Sequence, residues 1–316
     1  MAKVNPASVF APYAAESTMP VRLRHYLGRD WLLGWAMLLP VLLVVLGLIT
    51  YPFFVAISMS FQDRLLGAST FTWVGLANYA EFFQGGSFAL LALWNTFLYT
   101  GLAVSIKFLI GMGMACIVNQ QIIARDFWRG LLFLPWAVPL IVATFVWMFV
   151  YDEQGFINLL LLDTLGITTD IINFRGSPSL AMGAIIAVAV WTGTPFYTMN
   201  FLAGMQAIAE EAYEAAEIDG AGTFQRFWHI TLPSLQGVIL ITTMLSAIWT
   251  SSNITVIYIL TKGGPQHLTA TIPYLAYELA IERKLMGAGA AVSLLIVPAY
   301  VIIVLILSKR MLRQES

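Results

Sequence analysis

Six long stretches almost free of charge constrain this chain more than any other feature. Trp31–Gln62, Gly130–Tyr151, Gly176–Ala209, Phe227–Thr261 and Leu285–Ser308 contain no Asp, Glu, Lys or Arg, and Leu90–Val118 contains only Lys107. A helix needs about 20 apolar residues to cross the hydrocarbon of a bilayer. In lipid the backbone must satisfy its own hydrogen bonds, so such runs become helices. The expected fold is an all-α membrane protein with six transmembrane helices, at about 31–60, 90–118, 130–151, 180–205, 235–260 and 285–308. Pro40, Pro52, Pro135, Pro139, Pro195 and Pro298 inside these runs do not argue against helix, because bundle neighbours can satisfy the freed backbone groups. Only 16 basic and 17 acidic side chains, against 59% apolar residues, remain to face water across 316 residues, too few for a soluble surface.

Orientation follows the cations. With the N-terminus inside, cytoplasmic segments hold ten Lys and Arg and outer segments five, which predicts a multi-pass protein of the cytoplasmic (inner) membrane with both termini cytoplasmic. Residues 1–30 then form a cytoplasmic N-terminal segment, 31–308 the six-span domain, and 309–316 a cytoplasmic tail. The first 30 residues lack the early apolar core of a cleavable signal. The longest outer segments, Gln62–Ala89 and Asp152–Pro178, are expected to carry short amphipathic pieces at the interface.

Several functions are disfavoured. A net charge of −1 offers no basic excess for nucleic acid. Cys116 is the single cysteine and His25, His229 and His267 are far apart in sequence, so no metal site is expected. There is no phosphate-binding loop, so no nucleotide cofactor is expected in this chain. A membrane enzyme would need clustered catalytic groups at one face, and none is evident. A stand-alone secondary transporter or channel is the main alternative, but such proteins often carry acids inside their spans, and the six runs hold none.

The loop 206–233 is different in kind. Five of the 17 acids fall between Glu210 and Asp219, interleaved with Ala212, Ala215 and Ala216. Alanine and glutamate favour helix, and Glu210, Glu214 and Glu217 share one face of it. Gly220 is a natural helix stop, and Pro233 suits the first turn of the next span. Tyr213, Ile218, Phe224, Phe227 and Trp228 add apolar surface to an otherwise charged loop, a combination that fits docking against a protein.

The order Glu214-Ala215-Ala216, three residues, Gly220, nine residues, Ile230-x-Leu232-Pro233 resembles the EAA loop of ABC importer permeases. Trp73–Tyr79, Leu134-Pro135 with Trp147, Gly155–Asn158 and Thr261-Lys262-Gly263-Gly264-Pro265 resemble the carbohydrate-uptake branch, nearest the first permease of maltose-type and glycerol-phosphate-type pairs. The likeness runs from about Leu32 to Ile306, in the form of the shorter six-span members. It implies a permease subunit that performs no catalysis. Its partners would be a second homologous permease, two ATPase subunits that bind the ATP and Mg, and an extracytoplasmic solute-binding protein. Glu211, Glu214, Ala215, Ala216, Glu217, Asp219 and Gly220 would form a coupling helix seated in an ATPase, anchored by Ile230, Leu232 and Pro233.

Polar groups near the midplane are the candidates for solute contact, since they are costly against lipid. Trp191–Tyr197 with Asn200 forms one patch, and Ser246, Trp249, Thr250, Ser251, Ser252, Asn253 and Thr255 form another. By the resemblance, the sugar-contact positions fall at Thr192, Gly193, Phe196, Ser246, Trp249, Thr250 and Asn253. Ser, Thr and Gly also pack membrane helices against each other, so each assignment competes with a plain packing role. Lys107 is expected to snorkel toward headgroups or to pair with an acid of the partner permease.

Overall fold

The computed structural model describes residues 31–84, 87–168 and 170–314. The expected cytoplasmic segment 1–30 and the last two residues of the tail lie outside them. The regular secondary structure of the described residues is helical apart from a short hairpin, in which Gln62–Asp63 (β1) pairs antiparallel with Thr72–Trp73 (β2). It divides into two units, one ending at Val55 and one beginning at Ala56.

In the first unit α1 (Trp31–Val44) passes through a π-helical turn, Val45–Thr50, into α2 (Tyr51–Ser60), which continues into the second unit. Leu33–Ser60 makes a helical stretch of 28 residues, about 42 Å long at ~1.5 Å per residue, ample for the ~30 Å of hydrocarbon. Its side chains from Leu33 to Ile49 are exposed, and nearly all are apolar, as a lipid-facing surface requires.

The second unit holds α3 (Ala77–Gln84), α4 (Ser87–Asn119), α5 (Arg125–Ala137), α6 (Leu140–Val150), α7 (Ala181–Gln206), α8 (Glu210–Ile218), α9 (Gln236–Ser252), α10 (Thr255–Leu260), α11 (Met286–Leu294) and α12 (Val297–Gln314). Its core lies between α4, α7 and the fifth-span helices. Toward one end Met112, Tyr197, Phe201 and Leu235 are buried together; toward the other, Tyr99, Ile185, Val188 and Ile257. Gly111 permits this packing: a Cβ there would stand 2.5 Å from the Cβ of Tyr197 and 3.2 Å from the backbone nitrogen of Thr198. Small residues of this kind let membrane helices approach backbone to backbone.

The third apolar run departs from the expected straight span at 130–151. It is split into α5 and α6, bent by 92° at Val138–Pro139. Val138 is extended, with ψ 130°, as the residue before a proline prefers, and Pro139 has no N–H to continue the ladder. Five helical stretches among the described residues are long and apolar enough to cross a membrane, and this bent pair supplies a sixth. The fifth is also interrupted: Asn253, at ψ 120°, separates α9 from α10. Its side-chain oxygen accepts a bond from Thr255 N–H at 2.8 Å, giving one freed backbone donor a partner.

The Thr261–Pro265 turn is fastened to its surroundings. Lys262 and Gly263 have φ of 47° and 76°; the tyrosine ring of Tyr274 packs directly on Gly263, and its hydroxyl donates to the Lys262 carbonyl at 2.8 Å. Burial, with the carboxylates of Glu278 and Glu282, pushes that phenol up to about 12, so it remains a donor at neutral pH. Asn95 of α4 donates to the carbonyls of His267 and Ala270, both at 3.0 Å. The N-terminal part of α4 is thus tied to the segment that follows α10.

Candidate solute cavity and coupling loop

The acidic loop forms a discrete local structure. Glu210 and Glu211 occupy the first turn of α8, where carboxylates complement the helix dipole. At its other end Gly220 takes φ +80°. Its N–H donates to Glu217 O at 3.0 Å, and Ala221 N–H reaches back to Ala216 O at 2.8 Å, the paired bonds of a Schellman stop. Gln225 then accepts from Gly222 N–H at 2.8 Å, starting the next helical turn.

Two side-chain contacts fold the loop on itself. Arg226 pairs with Glu217 at 3.0 Å, and the hydroxyls of Tyr213 and Thr231 lie 2.8 Å apart. The remaining acids of α8 make no ion pair among the described residues. Glu211, Glu214, Ala215, Asp219 and Gly220 are exposed, with Ala216, Ile230 and Leu232 half-buried and Pro233 exposed. Ile218 is 87% exposed and Phe224 75%. Such a surface, acidic and apolar at once, leaves both charge and hydrophobic area available to a partner.

A cavity of about 360 Å³ lies within the bundle. All seven positions singled out as sugar contacts line it: Thr192, Gly193 and Phe196 from α7, Ser246, Trp249 and Thr250 from α9, and Asn253 at the break. The opposing wall is the bend itself, Pro135 to Leu140, with Tyr99 and Lys107 from α4. Phe196 and Trp249 stand side by side, ring centroids 5.1 Å apart, while Ser246 and Thr250 are buried. Pockets that hold small molecules commonly combine an apolar wall with a few placed polar groups, at volumes of roughly 300–1,000 Å³.

Other members of the two polar patches face elsewhere. Trp191, Thr194 and Pro195 line a separate apolar cleft with Leu102 and Ile106. Thr194 and Ser252 spend their hydroxyls on carbonyls of their own helix, and Ser251 reaches Tyr300 at 3.0 Å.

The structure bears on the first of the two expectations for Lys107. The side chain does not snorkel, being 5% exposed, and its ammonium donates to Thr250 Oγ1 at 2.8 Å. The arm lies across Gly193, where a Cβ would come 2.6 Å from Lys107 Cε. Its isolation in an apolar run was visible in the sequence; its aim into the cavity was not, since that depends on how α4, α7 and α9 are rotated. Pro139 was the visible signal for the bend that closes the opposite wall.

A bundle of membrane-crossing helices around an interior cavity, with a folded acidic loop between two spans, defines a polytopic solute permease. The chain belongs to the family of binding-protein-dependent transport system inner membrane components, whose model matches residues 107–313. It is a multi-pass inner-membrane permease of the ABC importer type. It is 35% identical over 271 residues to the trehalose/maltose transport system permease protein MalF of Thermococcus litoralis, covering 84% of this chain and 89% of that protein. Against the sulfoquinovosyl glycerol transport system permease protein SmoG of Agrobacterium fabrum it is 32% identical over 267 residues, covering 84% and 85%. Among solved structures, a chain of a bacterial ABC transporter involved in the import of the acidic polysaccharide alginate matches with a TM-score of 0.77. It is 21% identical and covers 92% of this chain and 99% of that one, a likeness of fold.

Proposed function

We propose that this permease forms half of a translocation pathway for a sugar or sugar-like solute. A second, homologous permease supplies the other half, and two ATPase subunits bind ATP and Mg and hydrolyse the nucleotide. An extracytoplasmic binding protein delivers the solute. Both termini are cytoplasmic, in keeping with the ten-to-five excess of Lys and Arg in the segments on that side.

The observation that carries the carbohydrate reading is the cavity. Its aromatic pair can stack on the C–H faces of a sugar ring, while Ser246, Thr250 and Asn253 offer hydroxyl and amide groups to sugar hydroxyls; Thr192 lines the cavity with its own hydroxyl donating to Val188 O at 2.9 Å, so it offers only an acceptor. Two relatives whose names specify sugar-containing solutes support it.

In the same reading, α8 is the lever. Glu211, Glu214, Ala215, Ala216, Glu217, Asp219 and Gly220 seat in a cleft of one ATPase, and Ile230, Leu232 and Pro233 anchor the loop to the fifth span. Glu214, exposed and in no ion pair among the described residues, meets a cation of that cleft. Closure of the ATPase dimer on ATP moves α8 and biases the bundle between inward-open and outward-open states.

The test is ATP hydrolysis by the reconstituted complex, with its binding protein, against a panel of neutral and acidic oligosaccharides, amino acids and peptides. Stimulation confined to carbohydrates is expected. Stimulation by amino acids or peptides alone contradicts the proposal.

A further inference from the structure

Lys107 is the one charged side chain inside the six apolar runs, and the reading above gives it no task. An ionisable group within the membrane is expensive and usually serves a function. An ammonium carries three N–H donors. One goes to Thr250, and the four ion pairs among the described residues all involve arginines, so no carboxylate there neutralises Lys107.

The surroundings keep the ammonium at the cavity. Glycine at 193 clears its path, since a Cβ would lie 2.6 Å from Cε and 2.9 Å from Nζ. The residues lining the cavity with it (Thr192, Phe196, Ser246, Trp249, Asn253) are neutral. A buried cation with unspent donors, facing a space walled by neutral groups, leaves room for an oxygen atom brought in from outside the chain.

We infer that Lys107 is a solute-contacting, specificity-determining residue of the pathway. Its remaining N–H donors bind oxygens of the passing solute, hydroxyl or carboxylate, so the cavity accepts neutral or acidic carbohydrates and disfavours cationic ones. The inference rests on the carbohydrate reading above and extends it. A purely structural part for Lys107, as a staple between α4 and α9 through Thr250, is the competing account.

The experiment uses the full complex of both permeases and both ATPases, trapped with ATP and vanadate after delivery of radiolabelled maltose, trehalose or a trigalacturonate by the binding protein. The concentration giving half-maximal retention is measured for wild type and Lys107→Met, together with the melting temperature of each complex. Loss of a charge-assisted hydrogen bond weakens retention by at least about tenfold. That loss is expected for Lys107→Met, at least as large for the acidic probe as for the neutral ones, with the melting temperature unchanged. Equal weakening for all three probes together with a lower melting temperature indicates a staple and overturns the inference, as does retention by Lys107→Met within about threefold of wild type. If Lys107→Met fails to assemble, as read by co-purification of the ATPases, Lys107→Gln replaces it under the same criteria. A wild-type complex that hydrolyses ATP but retains none of the three probes sinks the carbohydrate reading itself, a different outcome from loss confined to the variants.

Discussion

The acidic loop and the interior cavity are built by opposite means. The loop is contiguous: between Glu210 and Arg226 α8 starts on carboxylates, stops on Gly220 and is clasped by Arg226 to Glu217. Its polar groups face water, and its apolar residues Ile218 and Phe224 are exposed. The cavity is assembled from residues as distant as Tyr99 and Asn253, contributed by α4, the 92° bend, α7 and α9. Ser246 and Thr250 are buried there, and its one charge comes from a residue isolated in an apolar run. A water-facing helical loop can be encoded locally, whereas an interior cavity needs several helices in a fixed rotation.

The comparison breaks most visibly at Gly220. Proline cannot take φ +80° and has no N–H for the Glu217 carbonyl. Gly220→Pro is expected to cut ATP-driven uptake in proteoliposomes by at least about 100-fold, the coupling depending on this stop, while the helical circular dichroism of the spans is retained. Near-normal uptake would remove the loop from the mechanism. Glu214→Lys puts the wrong sign on an exposed face without touching the fold, so uptake should fall by about tenfold or more with the ATPases less firmly co-purified.

On the cavity side, Trp249→Ala removes half of the aromatic pair. A loss of about 1.4 kcal/mol, or roughly tenfold in uptake, is expected with assembly intact; a drop in ATPase co-purification instead would place Trp249 in packing. Gly111→Val tests the scaffold beneath the cavity. The added side chain meets Tyr197 and the Thr198 backbone, and a destabilisation of about 1–3 kcal/mol should appear as a lower melting temperature of the detergent-solubilised complex.

The smallest effect belongs to the clasp within the loop. Glu217 is 71% exposed in its pair with Arg226, and exposed pairs contribute about 0–1 kcal/mol. Arg226→Ala, which opens the clasp without altering a residue assigned to the ATPase cleft, should leave uptake within about twofold of wild type, in contrast to Glu214→Lys. Equal damage from both would mean that the clasp is needed to hold α8 in shape.

What could be seen in the sequence follows the same division. The acid and alanine spacing, Gly220 and Ile230-x-Leu232-Pro233 are neighbours in the chain, so both the helix and its stop could be anticipated. Ser246, Trp249, Thr250 and Asn253 recur at helical spacing, and they share one wall of the cavity even though Asn253 ends its helix. Helical period places a residue around its own axis; it does not say which neighbour that face meets. For that reason Lys107 could be noticed as an isolated charge but not aimed at Thr250 and Gly193. Pro139 could likewise be seen in the sequence, but not the size of the bend it makes. Bundle partners often tolerate proline within a span, and only the packed structure shows that here the ladder gives way and the bend lines the cavity.

That α8 is gripped by a separate ATPase is tested most directly by cross-linking from Ile218, 87% exposed on this chain. With Cys116 replaced by serine, Ile218→Cys carrying a short photoreactive label should cross-link to an ATPase subunit in the intact complex, with a yield that changes when ATP and vanadate are added. A label that stays freely accessible to aqueous thiol-exchange reagents and captures no ATPase in either state would contradict the account.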